Sequence, residues 1–200
     1  MRGSSSSAPA RADATFDIAL ERAARIIRAG GIVAHPTEGL WGLACDPFAA
    51  SAVMRILRMK RRPVEKGLIV IGASRDTFAR ELGALSPCAR QTVLGTWPGP
   101  VTWVVPNRRF PKWITGRRAT VAIRVPGHVQ ARRLCEAVGG PIVSTSANPA
   151  GRAPARSALA VRVYFRDTID DVLSGELGGR SGASEIRVAG SGHRLRDAVP

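Results

Sequence analysis

The sequence predicts an α/β protein built on a mixed β-sheet, and three observations carry that expectation. Short apolar runs of strand length alternate with stretches of helical periodicity along most of the chain. No internal repeat is visible. The runs Val101 to Val105 and Val121 to Val125 are spaced like the arms of a hairpin, which favours a mixed over a purely parallel sheet.

Taken in order, Phe16, Leu20, Ala23 and Ile27 recur at helical spacing, with Thr15 as the expected N-cap and Gly30-Gly31 as the stop. Gly31 to Ala34 reads as a short buried strand ending at Pro36, followed by a polar loop and a helix from Ala49 to Lys60 with Val53, Ile56 and Leu57 inward. A strand near Leu68 to Ile71 precedes helices around Arg75 to Leu82 and Pro87 to Leu94. After the two hairpin-spaced strands come a helix from His128 to Val138 and a strand at Ile142-Val143. A helix near Ser157 to Phe165 and strands near Ile169 to Leu173 and Glu185 to Val188 complete the pattern.

At 200 residues and 44% apolar content the chain can bury one sizeable core, so residues 15–200 are expected to form a single domain. Residues 1–14 are rich in Ser, Ala and Arg, with no acid before Asp13 and no apolar stretch of the kind a secretory signal needs. They are expected to be a disordered tail, with an organelle-targeting reading open beside it. No apolar run approaches the ~18 residues that span a bilayer, so no membrane segment is expected. Cys45, Cys88 and Cys135 are odd in number, widely separated and never in a CxxC spacing, which fits a reducing, cytoplasmic setting rather than a disulfide framework or a zinc site.

The 30 basic residues outnumber the 15 acidic ones and leave a formal charge of +15. Such a field attracts polyanions such as RNA or ATP, and equally keeps a protein soluble. Among the basic residues only Lys60, Lys66 and Lys112 are lysine. An ammonium is a compact, pivoting charge where a guanidinium is a planar fork, so two retained lysines within one short stretch point to a site that needs the former.

Several chemistries find no motif here: there is no GxxxxGK[ST] loop, no GxGxxG, no HExxH and no GxSxG. The histidines at 35, 128 and 193 are scattered and read as surface or turn residues, so no metal site is predicted. Lys60-Arg61-Arg62-Pro63 closes the second helix with Lys60 on its buried side. Lys60 then either stabilises the helix C-terminus or joins Arg62 in a pair of cations aimed into a cleft to hold a triphosphate. In Thr120 to Val125 the two-residue period sets Thr120, Ala122 and Arg124 on one face. That face is a shelf on which Arg124 can grip a carboxylate, or an edge from which it reaches water.

Ser144, Ser146 and Asn148 would align on one side of an extended backbone after a buried strand. Such a row suits phosphate oxygens, and a local turn before Pro149 accounts for the same residues. Its place at the C-terminal end of a strand, where α/β ligands sit, favours the first. Thr37 and Glu38 follow another buried strand and offer a donor and an acceptor at the same end of the sheet. Trp41, Trp97, Trp103 and Trp113 read as core and are assigned no role.

Together, Pro36-Thr37-Glu38-Gly39 with Trp41-Gly42-Leu43, Lys60-Arg61-Arg62-Pro63, Trp97 to Thr102, Val121 to Arg124 and Ser144 to Asn148 resemble the YrdC/TsaC family of threonylcarbamoyl-AMP synthases. The likeness runs from about Phe16 to near Arg196 and includes Gly178-Gly179-Arg180 and Ser184 to Arg187. It implies a twisted open sheet with a large basic cleft. It also implies condensation of L-threonine, bicarbonate and ATP, with Mg2+ on the ATP, into threonylcarbamoyl-AMP and pyrophosphate. Downstream tRNA threonylcarbamoyl-transferase proteins would consume the product, and tRNA or double-stranded RNA is a further partner.

The resemblance assigns ATP to Lys60, Arg62, Thr120, Ser146 and Asn148, with Lys60 and Arg62 as the catalytic pair. It assigns threonine to Thr37, Arg124 and Ser184, and Ser144 from the row of short donors is placed with them. Three positions depart from the family pattern: Gly39 stands where many relatives carry a second threonine, Ile71 where some carry a histidine, and Lys66 where some carry a neutral residue, its ammonium still placed with the ATP set because it could reach a phosphate. Two rivals stay open: a nonenzymatic RNA-binding module, and a related domain that activates another carbamoyl or amino-acid substrate.

Overall fold

The computed structural model describes residues 8–197, and from residue 15 onward their side chains. The first part of the expected tail, residues 1–7, lies outside the described residues. Residues 8–14 are the first turns of helix α1 (Ala8–Arg28), so Thr15 sits inside that helix rather than capping it. The helix ends at Gly30, whose φ of +81° is the left-handed conformation that favours glycine at a helix stop.

Strands β1 (Val33–Pro36) and β2 (Trp41–Ala44) then form an antiparallel hairpin with Pro36 opposite Trp41. β2 was expected as loop; its four residues are all buried, which removes the apolar-polar alternation that marks a strand. Helix α2 (Ala50–Met59) leads through a 3-10 turn at Val64–Lys66 to β3 (Ile69–Ile71). The stretch expected as one helix from Arg75 divides into a 3-10 turn and α3 (Ala79–Leu82), and α4 (Pro87–Leu94) follows.

The hairpin spacing is realised as β4 (Val101–Pro106) and β5 (Thr120–Arg124), antiparallel, with the short helix α5 (Lys112–Thr115) between them. Helix α6 (Val129–Val138), β6 (Ile142–Val143), β7 (Thr145–Ser146), α7 (Ala158–Phe165), β8 (Asp171–Val172), β9 (Glu185–Val188) and β10 (Arg194–Arg196) complete the chain.

The strands divide between two mixed sheets, ordered β7-β2-β1-β8 and β10-β9-β4-β5-β3-β6. In the first, β1 runs parallel to β8 and antiparallel to β2; in the second, β5 runs parallel to β3 and antiparallel to β4. The chain passes from the larger sheet to the smaller at Ser144, between β6 and β7. Its N–H reaches Ile69 O at 2.9 Å, and the neighbouring Val143 N–H reaches Cys45 O at 2.9 Å. A residue held between two sheets in this way has almost no backbone freedom.

One buried cluster draws Trp41 and Leu43 from the smaller sheet, Val70, Trp103 and Ile123 from the larger, and Val53 and Ile56 from α2. The second gathers Leu20, Ala23 and Ile27 of α1 against Leu134 of α6, with Val33, Ile71 and Ile142 beneath. Each such aliphatic side chain contributes about 1.5–3 kcal/mol by leaving water. Ile71 is thus core. No helix among the described residues is long and apolar enough to cross a membrane.

α5 lies flush on the 3-10 turn that carries Lys66, because Gly116 at its end has φ +62° and a Cβ there would stand 2.5 Å from Glu65 O and 2.6 Å from Val64 O. Gly116→Ala is expected to cost about 1–3 kcal/mol, lowering the Tm by several degrees in thermal denaturation. An unchanged Tm would mean that the turn yields freely.

Candidate active site

The hairpin turn between β1 and β2 is the first wall of the site. Thr37 closes it, with both its N–H and its Oγ1 donating to Leu40 O, at 3.0 and 2.7 Å. That closure presents Glu38 toward the larger sheet, where Oε2 accepts from Arg124 Nη1 at 3.1 Å and Oε1 accepts from Gly127 N–H at 2.8 Å. Both side chains are nearly buried, at 10% and 8% exposure, so this ion pair is shielded from water and salt. Arg124 Nε is buried too and has no partner among the described residues. A buried guanidinium N–H without a partner carries a desolvation cost, one the neighbouring Glu38 charge offsets.

His35, expected on the surface or in a turn, is instead fully buried under this wall. Burial pushes its pKa down to about 4, so the ring is neutral. His128 does occupy a turn, where it caps α6 by accepting from Ala131 N–H at 3.3 Å.

The second wall comes from the end of α2. Lys60 is 5% exposed, and its ammonium donates to the carbonyl oxygens of Ser146 and Asn148, the latter at 2.8 Å, and to Asn148 Oδ1 at 3.4 Å. Asn148 Oδ1 also accepts from Ser146 Oγ at 2.7 Å. A pivoting ammonium suits three oxygens that converge on one point, where a planar fork would not fit. Desolvation, with Arg62 nearby, lowers the Lys60 pKa to about 8. Arg62 itself is held by Nε and Nη2 donating to Gly67 O at 3.1 and 2.9 Å, and its pKa is lowered by burial and by Arg118.

Between these walls opens a cavity of about 800 Å³. Of the residues singled out in the sequence, Thr37, Arg62, Lys66, Thr120, Arg124, Ser144, Ser146 and Ser184 all line it, as do Gly39 and Trp41. Lys60 and Asn148 are not among its lining; they stand behind Ser146 and fix it. Arg118, Arg180 and Arg196 also line the cavity; Arg180 stood within a quoted motif, yet none of the three was given a role, because single arginines carry no signal in an arginine-rich sequence.

Arg196, from β10, spans the rim by donating from Nε and Nη2 to Ser184 O, at 3.0 and 2.7 Å. Its pKa is lowered by burial and by the neighbouring charges of Arg124 and Arg62. Guanidiniums that repel one another across a cavity are stabilised by an anion placed between them. The two carboxylates on the wall, Glu38 and Glu185, are already paired to arginines, Glu185 with Arg187 at 2.7 Å and Arg194 at 2.9 Å. Among the described residues no group of three or more His, Cys, Asp or Glu is placed to hold a metal ion.

Gly39 is packed where a side chain has no room: a Cβ there would collide with Gly182 O and stand 3.0 Å from Arg180 O. The segment from Gly178 to Ser184 therefore lies directly on the hairpin turn, tied to it by Gly178 N–H to Thr37 O at 3.1 Å and Arg180 N–H to Glu38 O at 2.9 Å.

Two mixed sheets, flanking helices and a cavity walled by hydroxyls and guanidiniums define an α/β protein suited to a small anionic ligand. The profile of the Sua5/YciO/YrdC family, described as telomere recombination, matches residues 25–196. The chain belongs to that family.

A relative from Stutzerimonas stutzeri (strain A1501) named threonylcarbamoyl-AMP synthase is 51% identical over 183 residues, covering 91% of this chain and 98% of that one. One of the same name from Xanthomonas euvesicatoria pv. vesicatoria (strain 85-10) is 47% identical over 186 residues, 92% and 100% of the two chains. Among solved structures, P. abyssi Sua5 complexed with L-threonine superposes with a TM-score of 0.79 at 34% identity, over 84% of this chain and 50% of that one. The H234A/Y235A form of P. abyssi Sua5 gives 0.81 at 32% identity, over 90% and 56%. This chain thus spans about half the length of those Sua5 chains.

Two outcomes test the Lys60 grip. Lys60→Met is expected to release the Ser146–Asn148 turn, seen as amide hydrogen exchange about tenfold faster or more at Ala147 and Asn148. Because the folded pKa of about 8 lies below the ordinary lysine value of 10.5, the folded chain binds fewer protons than the unfolded chain between those limits. Lys60 therefore makes the protein more stable as the pH rises through that window. Urea melts at pH 7.5 and 9.5 should show this rise in the wild type and a smaller one in Lys60→Met.

Proposed function

We propose that this chain is an L-threonylcarbamoyladenylate synthase, which joins L-threonine, bicarbonate and ATP and releases pyrophosphate. The observation that carries the reading is the buried Arg124. Glu38 grips one nitrogen of its guanidinium, Nε is enclosed, and the side chain still lines the cavity, where its remaining N–H groups would meet the carboxylate of an amino acid. The relatives' shared name and the threonine complex of P. abyssi Sua5 support the same substrate.

In this reading Thr37, Arg124, Ser144 and Ser184 hold threonine, and Arg62, Lys66, Thr120 and Ser146 receive the nucleotide, with Lys60 and Asn148 holding Ser146 in place. Arg118 and Arg196 add charge where the triphosphate would lie. Mg2+ arriving with ATP would supply further charge neutralisation at the departing pyrophosphate, beside that of Arg62 and Lys66. The amine of threonine takes up carbon from bicarbonate with loss of water, forming an N-carboxylate. An oxygen of that carboxylate then bonds to the α-phosphorus as the bond to the pyrophosphate oxygen breaks. The protein contributes orientation and charge neutralisation, with no covalent intermediate.

The formal charge of +15 suits delivery of the product to tRNA-bound partner proteins, with tRNA or double-stranded RNA as a direct partner, in the cytoplasm. Threonine- and bicarbonate-dependent pyrophosphate release by the purified protein separates the synthase from a nonenzymatic RNA binder, and replacing threonine by serine separates it from a domain with another substrate. Arg62→Ala is expected to lower kcat about 100-fold or more by removing charge stabilisation at the phosphates, and Arg124→Ala to raise the KM for threonine by a similar factor. Full activity in either purified variant would refute its assignment.

A further inference from the structure

We propose that His35 fixes the direction of the Ser144 hydroxyl, so that Ser144 meets the cavity as a hydrogen-bond acceptor and selects an amino acid bearing an N–H or O–H donor there. The inference rests on the reading that Ser144 contacts the amino-acid substrate, and it adds the polarity of that contact and the residue that sets it.

His35 Nδ1 lies 3.1 Å from Pro36 O. A carbonyl oxygen can only accept, so the hydrogen of the neutral ring sits on Nδ1 and Nε2 carries a lone pair. Nε2 faces Ser144 Oγ at 3.4 Å. Of these two atoms only the hydroxyl has a hydrogen to give, so Ser144 donates inward, and its remaining lone pairs are what a ligand in the cavity meets. The buried ring, with its pKa near 4, stays in this form through the neutral range.

Two further features hold the arrangement. Ser144 is pinned between the sheets by its N–H bond to Ile69 O at 2.9 Å. Gly42, opposite His35 in the β1–β2 register, leaves the path between ring and hydroxyl open; a Cβ there would stand 3.2 Å from Nε2 and 3.1 Å from Oγ. With no acceptor at residue 35 the hydroxyl would turn freely and donate into the cavity, where it would welcome carboxylate or phosphate oxygens instead.

The test is calorimetric titration of L-threonine, L-2-aminobutyrate and ATP into wild type, His35→Phe, His35→Gln, Ser144→Ala and the His35→Phe/Ser144→Ala double variant. His35→Phe and Ser144→Ala are each expected to weaken threonine binding roughly fivefold to tenfold, as loss of one hydrogen bond implies. The double variant should be no weaker than the weaker single, because the two act as one unit. His35→Gln, which brings an amide oxygen near the place of Nε2, should restore threonine affinity to within about twofold, with ATP affinity unmoved throughout.

If the donor is the threonine hydroxyl, 2-aminobutyrate binding is indifferent to both changes; if it is the ammonium, both ligands lose alike. Unchanged threonine affinity in His35→Phe alongside loss in Ser144→Ala overturns this inference and leaves the threonine site intact. Unchanged affinity in Ser144→Ala overturns the site reading at that residue. A parallel loss of ATP binding in His35→Phe also overturns the inference, since it marks general damage. Should His35→Phe lack a cooperative melt, Gly42→Ala, which crowds both atoms with a methyl group, decides between the same outcomes.

Discussion

A carboxylate and a guanidinium sealed from water hold the two sheets in register at the cavity. Glu38 belongs to the turn of the smaller sheet's hairpin and Arg124 to the end of a strand of the larger, so their contact fixes the width of the space between them. Burying two charges is unfavourable unless each is well partnered, and removing one partner of such a pair typically costs about 3–5 kcal/mol. Here each carboxylate oxygen has a partner, Arg124 for one and the Gly127 N–H for the other, while the guanidinium has N–H groups beyond the one given to Glu38. The pair therefore both braces the fold and leaves a charged donor uncommitted. A cavity shaped this way is preorganised, because the cation that a ligand meets has already been desolvated by folding.

The rest of the wall follows a division of labour between the two kinds of cation. The guanidiniums of Arg62, Arg118 and Arg196 are spread around the cavity, and two of them lose proton affinity through burial and mutual repulsion. Lys60 works from behind, gathering three oxygens of the Ser146–Asn148 turn onto one ammonium. Without that charge, two carbonyls and an amide oxygen would crowd together with nothing to offset their repulsion. A lysine retained where the rest of the sequence uses arginine thus marks a geometric need, three acceptors converging on a point, more than a need for charge alone.

Much of this was legible in the residues. α1 is announced by Leu20, Ala23 and Ile27, and β5 by the alternation that buries Val121 and Ile123 and turns Thr120 and Arg124 to the cavity. What escaped had physical reasons. β2 is buried on both faces and lost its period, and β10 is three exposed residues with the single apolar side chain of Leu195, too short for a period to show. The depth of His35 was invisible because a histidine is usually placed in water. Its two ring nitrogens are satisfied by the next carbonyl and by a serine far away in the chain, and only the folded backbone brings the second one near. The link from Glu38 to Arg124 is of the same kind, a contact between distant segments that no local spacing encodes. The rim arginines were present in the sequence and indistinguishable from those that merely face solvent.

The bare backbone of Gly39 against Gly182 also couples two stretches far apart in the chain. A side chain can be admitted at 39 only if the strip from Arg180 to Ser184 withdraws, and that strip carries the hydroxyl and the carbonyl to which Arg196 is fastened. The effect of a change at residue 39 should therefore depend on the conformation and residues of that strip, through the close approach of Gly182 and Arg180. Lineages that changed residue 39 should carry a compensating change near the end of the chain, and swaps of either stretch alone between such lineages should fail where the joint exchange succeeds.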